Sequence, residues 1–273
     1  MKTGFLLLRP LYRAELSARI LSLIPCERRE TELPTLQMSP KLLPVIALAY
    51  LCSLTAVALP QNDRQHPSFE RVTRRMDVDV DGAPNAYGPV GKPTLDFLVN
   101  AHYLNRANQQ IVGYLVDEHN RPILQSPHDP FPGYYISQTA FVDNANQNER
   151  DPQRYVDARK INYVVRGNAA KRRGVQVGDF VSVYSTRTHK SVFAIVGDTG
   201  NPSGDEGSLH LLQDLGYPFH DGKDDAVENP EIVIRFYPDS NPSHQFFFTQ
   251  AELDKAASRL GLSRDFLRAP NHN

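Results

Sequence analysis

The stretch Gly174–Gly200, GVQVGDFVSVYSTRTHKSVFAIVGDTG, decides the fold. Two runs rich in Val, Phe and Ile, Phe180–Tyr184 and Val192–Val196, flank a polar turn. Such a pair of short β-branched and aromatic runs around a polar segment reads as strand, turn, strand. The second run ends abruptly at Gly197 and Asp198. Working outward, similar runs predict strands at Ile111–Val116, Tyr134–Phe141, Ile161–Val165 and Ile232–Phe236, each bounded by Gly, Pro, Asn or Asp. Regularly spaced short strands with few helices point to a small barrel or sandwich.

The same stretch is similar to the Gly-Asp-x-Val…strand–Asp-x-Gly pattern of double-psi β-barrel domains, carried here by Gly178–Val181 and Asp198–Gly200. The expected fold is therefore mainly β (α+β), a small double-psi-like β-barrel decorated with a few short helices. The clearest helix is TQAELDKAASRLG, in which Thr249 and Glu252 make a capping box and Gly261 ends the run. Thr94–Ala101 is a second candidate, and a third follows Asp151 as cap with Pro152 in the first turn. A fourth covers Ser208–Leu215, with Leu209, Leu212 and Leu215 on one face.

Composition narrows the function. The 273 residues carry a net charge of −1, but residues 59–273 hold 23 Lys/Arg against 27 Asp/Glu. No basic stripe marks a nucleic-acid binder. The two cysteines, Cys26 and Cys52, precede residue 59. The body therefore has no disulfide, no thiolate nucleophile and no Cys-ligated metal. Trp is absent, so a sugar-stacking platform must be Tyr, Phe or His.

Leu42–Ala58, LLPVIALAYLCSLTAVA, is apolar and uncharged, follows Met38-Ser-Pro-Lys41, and ends in an A-x-A pattern at Ala56–Ala58. Residues 38–58 read as a secretory signal peptide rather than an anchor, because the run is short and contains Pro44. Translation is expected to start at Met38, leaving 1–37 as an extension upstream. Residues 59–75 read as a polar linker or propeptide, with the dibasic Arg74-Arg75 near its end. The folded domain is expected over 76–262 and a flexible tail over 263–273. Asn201 and Asn241 are each followed by Pro, which blocks glycosylation.

After Asp198 the chain runs TGNPSGDEGSLHL. Glycoside hydrolysis needs two carboxyl groups on rigid supports, one to protonate the leaving oxygen and one to activate water or attack carbon, roughly 5–9.5 Å apart. Asp198 at a strand exit and Glu206 before a helix are candidates. Spacing alone leaves them open between a solvated acidic turn and a working pair. If Glu206 is the acid, its pKa should be raised and that of Asp198 should not. The helix N-terminus favours the Glu206 anion, while burial and neighbouring acids oppose it.

Several stretches resemble the fungal chitosanases of glycoside hydrolase family 75 and their bacterial relatives. RRMDVDVDGAPNAYGP looks like the family's Met-Asp-x-Asp-x-Asp-Gly-Ala opening. SQTAFVD (Ser137–Asp143), INYVVRGN, and VGDTG followed by EGSLHLLQDLG resemble three further family segments, in order. The resemblance spans most of Met76–Leu262. It implies a secreted, monomeric, cofactor-free and metal-independent endo-chitosanase that cleaves β-1,4 glucosamine linkages with inversion. Asp198 would be the general base and Glu206 the general acid. Asp205, Thr199, Tyr163, Gln138, Asp79 and Asp81 would bind substrate. The partner would be chitosan or a related amino-sugar polysaccharide, with no nucleic acid and no membrane association after signal removal. Asp205 leaves one ambiguity: it raises the pKa of Glu206 or is itself the acid. Two other readings fit the residues: a non-catalytic wall-binding barrel, and a lytic-transglycosylase-type enzyme using one acid.

Asp77, Asp79 and Asp81 precede Gly82 like a calcium loop, but the twelfth position is Gly88, where a bidentate Glu is required. On a strand the three would share one face, as a negative subsite for ammonium groups or as a solvated edge. The histidines show no H-x-H or H-E-x-x-H spacing. Phe219–Asn229 is an acidic loop that either borders the cleft or is solvated. Tyr134, Tyr135, Phe141, Tyr163 and Tyr217 line sugar subsites or belong to the core.

Overall fold

The computed structural model describes residues 66–103 and 110–266. The extension 1–37, the signal segment 38–58 and residues 267–273 lie outside the described residues. The chain is mainly β: one curled, eight-stranded half-barrel sheet with a few short helices.

The hairpin expected from the deciding stretch is its centre. β4 (Phe180–Ser185) and β5 (Ser191–Asp198) pair antiparallel, from Phe180↔Ile195 to Tyr184↔Ser191. Phe193–Val196 are all buried, as a strand covered on both faces requires. β8 (Ile232–Phe236) pairs antiparallel with β4, and β1 (Phe69–Val72) pairs antiparallel with β8. On the other side, β3 (Tyr163–Val165) runs parallel to β5, with an irregularity between Val164 and Val165. β6 (Glu206–Ser208) joins antiparallel to β3 and parallel to β2 (Met76–Asp79). β7 (Ala226–Val227) completes the order β1-β8-β4-β5-β3-β6-β2-β7.

Among the described residues, three short α-helices decorate the sheet. α1 (Asn168–Arg172) follows β3. α2 (Leu209–Asp214) starts at Ser208, whose side chain accepts the Leu211 N–H, and buries Leu209, Leu211 and Leu212. α3 (Gln250–Arg259) carries the predicted capping box at Thr249 and Glu252, and buries Leu253 and Ala257. Among the described residues no helix is long and apolar enough to cross a membrane.

Several local expectations change. Ile111–Val116 and Tyr134–Phe141 form no ladder: they meet at the single bridge Tyr114↔Ser137, and the second segment also bridges through Leu124↔Tyr135. Pro127, Pro130, Pro132 and Gly133 interrupt the neighbouring chain and prevent continuous pairing. Their apolar side chains, Tyr114, Ile136 and Phe141, are still buried. The helix expected over Thr94–Ala101 is only a 3₁₀ turn at Leu98–Ala101. Asp96 takes the Phe97 N–H and the Asn100 amide on its own carboxylate, which competes with helix start. The segment after Asp151 is likewise one 3₁₀ turn, Pro152–Arg154, capped by the Asp151 side chain.

The 59–75 stretch is not all linker. It supplies β1, and the buried Thr73 behind it donates its N–H to Ile232 O at 2.9 Å. The expected tail is also partly docked. Arg235 reaches the carbonyl oxygens of Ser263 (3.2 Å) and Asp265 (3.0 Å), and Phe266 stacks on Tyr184 with ring centres 5.3 Å apart.

Candidate active site

A cavity of about 560 Å³ opens beside the junction of β2, β5 and β6. Among the described residues, eight that line it are Asp or Glu, against one Arg and one Lys, so their summed field is strongly negative. Asp77 and Asp79 line it from alternate positions of β2, and Asp81 lines it from the turn that follows. Asp198, Thr199 and Glu206 line it from the other side.

Asp198 is the last residue of β5. Gly197 before it packs against the Tyr163 ring so closely that a Cβ there would lie 2.6 Å from the tyrosine side chain. That contact explains why a glycine precedes the acid. Asp198 Oδ1 accepts the N–H of Thr199 at 2.7 Å and of Ala140 at 2.9 Å. Burial, then the charge of Asp79, push its pKa well above the usual carboxylate range, while the two amides pull it down. The expectation of an ordinary Asp198 pKa therefore fails. Burial raises Asp79, Asp81, Asp96 and Asp198 as well as Glu206.

Glu206 opens β6 instead of standing free at a helix mouth. Its Oε1 accepts the Asn201 side-chain N–H at 2.8 Å. Burial, the charge of Asp79, and to a lesser degree Asp77 and Asp205 raise its pKa to about 8, against the Asn201 hydrogen bond. Here burial and acidic neighbours prevail over the nearby helix N-terminus. Asp205, next in sequence, takes another course. It is buried away from the cavity lining and pairs with Arg71, while its carbonyl accepts the Asp77 N–H at 2.9 Å. Asp205 is thus not placed to touch substrate.

Compared with known proteins, the chain matches no protein-family model and no curated protein.

The floor is built from β2. Asp79 Oδ1 accepts the Asp81 N–H at 2.8 Å, and burial raises its pKa to about 6. Asp81 Oδ1 accepts the Tyr87 hydroxyl at 2.7 Å. Its pKa is driven well up by burial and by the charges of Asp79, Asp198 and Glu206. Tyr163 is fully buried, with its hydroxyl 3.0 Å from Asp81 O and against the Asp79 carboxyl, so it holds the floor rather than a sugar. Gln138 does not line the cavity; its side chain donates to Val112 O at 2.9 Å. Tyr134, Phe141 and Tyr217 are core residues, and among the described residues the rings on the cavity wall are Tyr87, His102 and Tyr103.

Some site residues were not visible as such in sequence. Asp96 lines the cavity with its pKa raised by burial to about 7. Asn201 stands out in the sequence only as an asparagine before proline. The acidic loop after Phe219, which the sequence left open between cleft border and solvated loop, borders the site through Gly222–Asp225. Arg75, from the dibasic pair, reaches the rim and pairs with Asp77 and Glu228. Among the described residues no group of three His, Cys, Asp or Glu side chains is arranged to hold a metal ion.

Proposed function

We propose that the chain is a secreted endo-glycosidase of the chitosanase type, cleaving β-1,4-linked glucosamine polymers with inversion. The observation that carries this reading is the entry of Asp198 and Glu206, from the ends of two different strands, into one acidic cavity. A glycosidic bond bound between them would meet a base on one face and a proton donor on the other. Secretion rests on the signal-like run 38–58.

In this mechanism Glu206, whose pKa of about 8 keeps it protonated at neutral pH, gives its proton to the glycosidic oxygen as the bond to C1 breaks. Asp198 takes a proton from a water that attacks C1 from the opposite face. Its two backbone N–H donors favour the required anion. Burial first, and then the Asp79 charge, raise the Asp198 pKa; the part due to Asp79 falls when ammonium groups of the substrate pair with Asp79 and Asp81. A cationic sugar polymer would thereby favour ionisation of its own base.

The test is release of reducing ends from chitosan, chitin and peptidoglycan by the wild type, Asp198→Asn and Glu206→Gln. Loss of chitosan cleavage by about 10²–10⁴-fold in each folded variant is expected. Chitosan binding without new reducing ends would replace this reading with that of a binding protein. Anhydro-sugar ends from peptidoglycan would replace it with a lytic enzyme.

A further inference from the structure

β1 stands first in the sheet and β6 sixth, yet the curl of the sheet brings Arg71 of β1 to the chain entering β6. The Arg71 guanidinium donates to Gly204 O at 3.1 Å and to the Asp205 carboxylate. Both groups are largely shielded, with side-chain exposures of 22% and 10%. β1 does not need this contact to dock. Its ladder to β8, the Phe69–Phe236 stack at 5.2 Å and the Arg173 guanidinium 4.1 Å from the Phe69 ring already hold it. Strand alternation then turns Glu206 into the cavity and Asp205 out of it.

We propose that Arg71 is a positioning residue for Glu206: by gripping Gly204 and Asp205 it fixes the backbone from which Glu206 projects and neutralises the charge beside it. This rests on reading Glu206 as the proton donor. It also gives Asp205 a role, as the link between an edge strand and the acid. Glu206 faces Asp77 and Asp79 on β2, Asp81 beyond it, Asp198 on β5 and Asp205 next in chain. Arg75 reaches it only through Asp77. Removing the Arg71 charge should therefore raise the Glu206 pKa, and removing the Asp205 charge should lower it.

The experiment is a carbon-13 NMR titration of the Glu206 carboxyl, assigned by its loss in Glu206→Gln, on the full chain. Arg71→Met should move the titration up by roughly 0.5–1 pH unit, Asp205→Asn should move it down, and Arg71→Lys should stay near wild type. In an Asp205→Asn background, Arg71→Met should shift it much less, because the effect passes through Asp205. Where wild type cleaves chitosan, Arg71→Met should lower kcat roughly tenfold with KM little changed. An unmoved Glu206 titration in folded Arg71→Met, or an equal shift in both backgrounds, overturns the proposal. Should Arg71→Met fail to fold, Asp205→Asn decides: no downward shift overturns it. Absence of cleavage by wild type would overturn the chitosanase reading alone, since the titration needs no activity.

Discussion

Asn201 donates a side-chain N–H to Glu206 Oε1 at 2.8 Å, and its own Oδ1 accepts the Ser203 N–H at 2.9 Å and the Ser203 hydroxyl at 2.8 Å. The loop between the two acids therefore orients one of them. Asn201→Ala removes a hydrogen bond that favours the Glu206 anion. The alkaline limb of the pH–rate profile should move upward, and kcat should fall roughly tenfold as the acid loses its orientation. A profile superimposable on wild type counts against Glu206 as the proton donor.

The acid cluster predicts how stability follows pH. Burial raises Glu206 to about 8, Asp96 to about 7 and Asp79 to about 6. The folded chain thus retains protons that the unfolded chain releases. The contribution is fully present below the unfolded values, near pH 4, and is lost as pH rises toward 8. Denaturation midpoints should fall across that window. Glu206→Gln should flatten the fall and be more stable than wild type at pH 8, by on the order of 1–3 kcal/mol. Parallel curves for the two proteins would contradict a raised Glu206 pKa.

Gly204 has φ +68, and a Cβ there would sit 2.5 Å from the Gly167 nitrogen. Backbone lies on both sides, so no side-chain movement relieves the clash. Gly204→Ala should destabilise by roughly 2–4 kcal/mol, and it should reduce activity even where the fold survives, because Asp205 and Glu206 follow directly. Urea denaturation and the reducing-end assay read the two effects separately.

Asn162, directly before β3, is fully buried and anchors a polar network. Its N–H donates to Gln250 Oε1 at 2.8 Å, and its side chain meets Phe193 O, Asp214 and His210. Asn162→Pro should therefore destabilise this chain, by about 2–5 kcal/mol, since it strands several buried partners. A thermal midpoint equal to wild type would show that the network contributes nothing.

The sequence by itself determined the hairpin β4–β5, strands β3 and β8, the capped helix α3 and the mainly-β class. These are local patterns: runs of β-branched residues between Gly and Asp, and a capping box beside an apolar stripe. It also brought Asp198 and Glu206 forward as a candidate pair, and the alternation of Asp77 and Asp79 placed them on one face. Tertiary structure alone decided the rest. β2 and β6 are three or four residues long and become strands only because each lies beside a partner distant in sequence. Residues 111–141 lost their predicted strands to prolines and turns. Asp205 and Glu206 are indistinguishable as letters, and strand alternation together with an arginine from the opposite end of the sheet separates them. The raised pKa values, too, belong to carboxylates that burial and sheet curvature bring together, which no single segment of chain encodes.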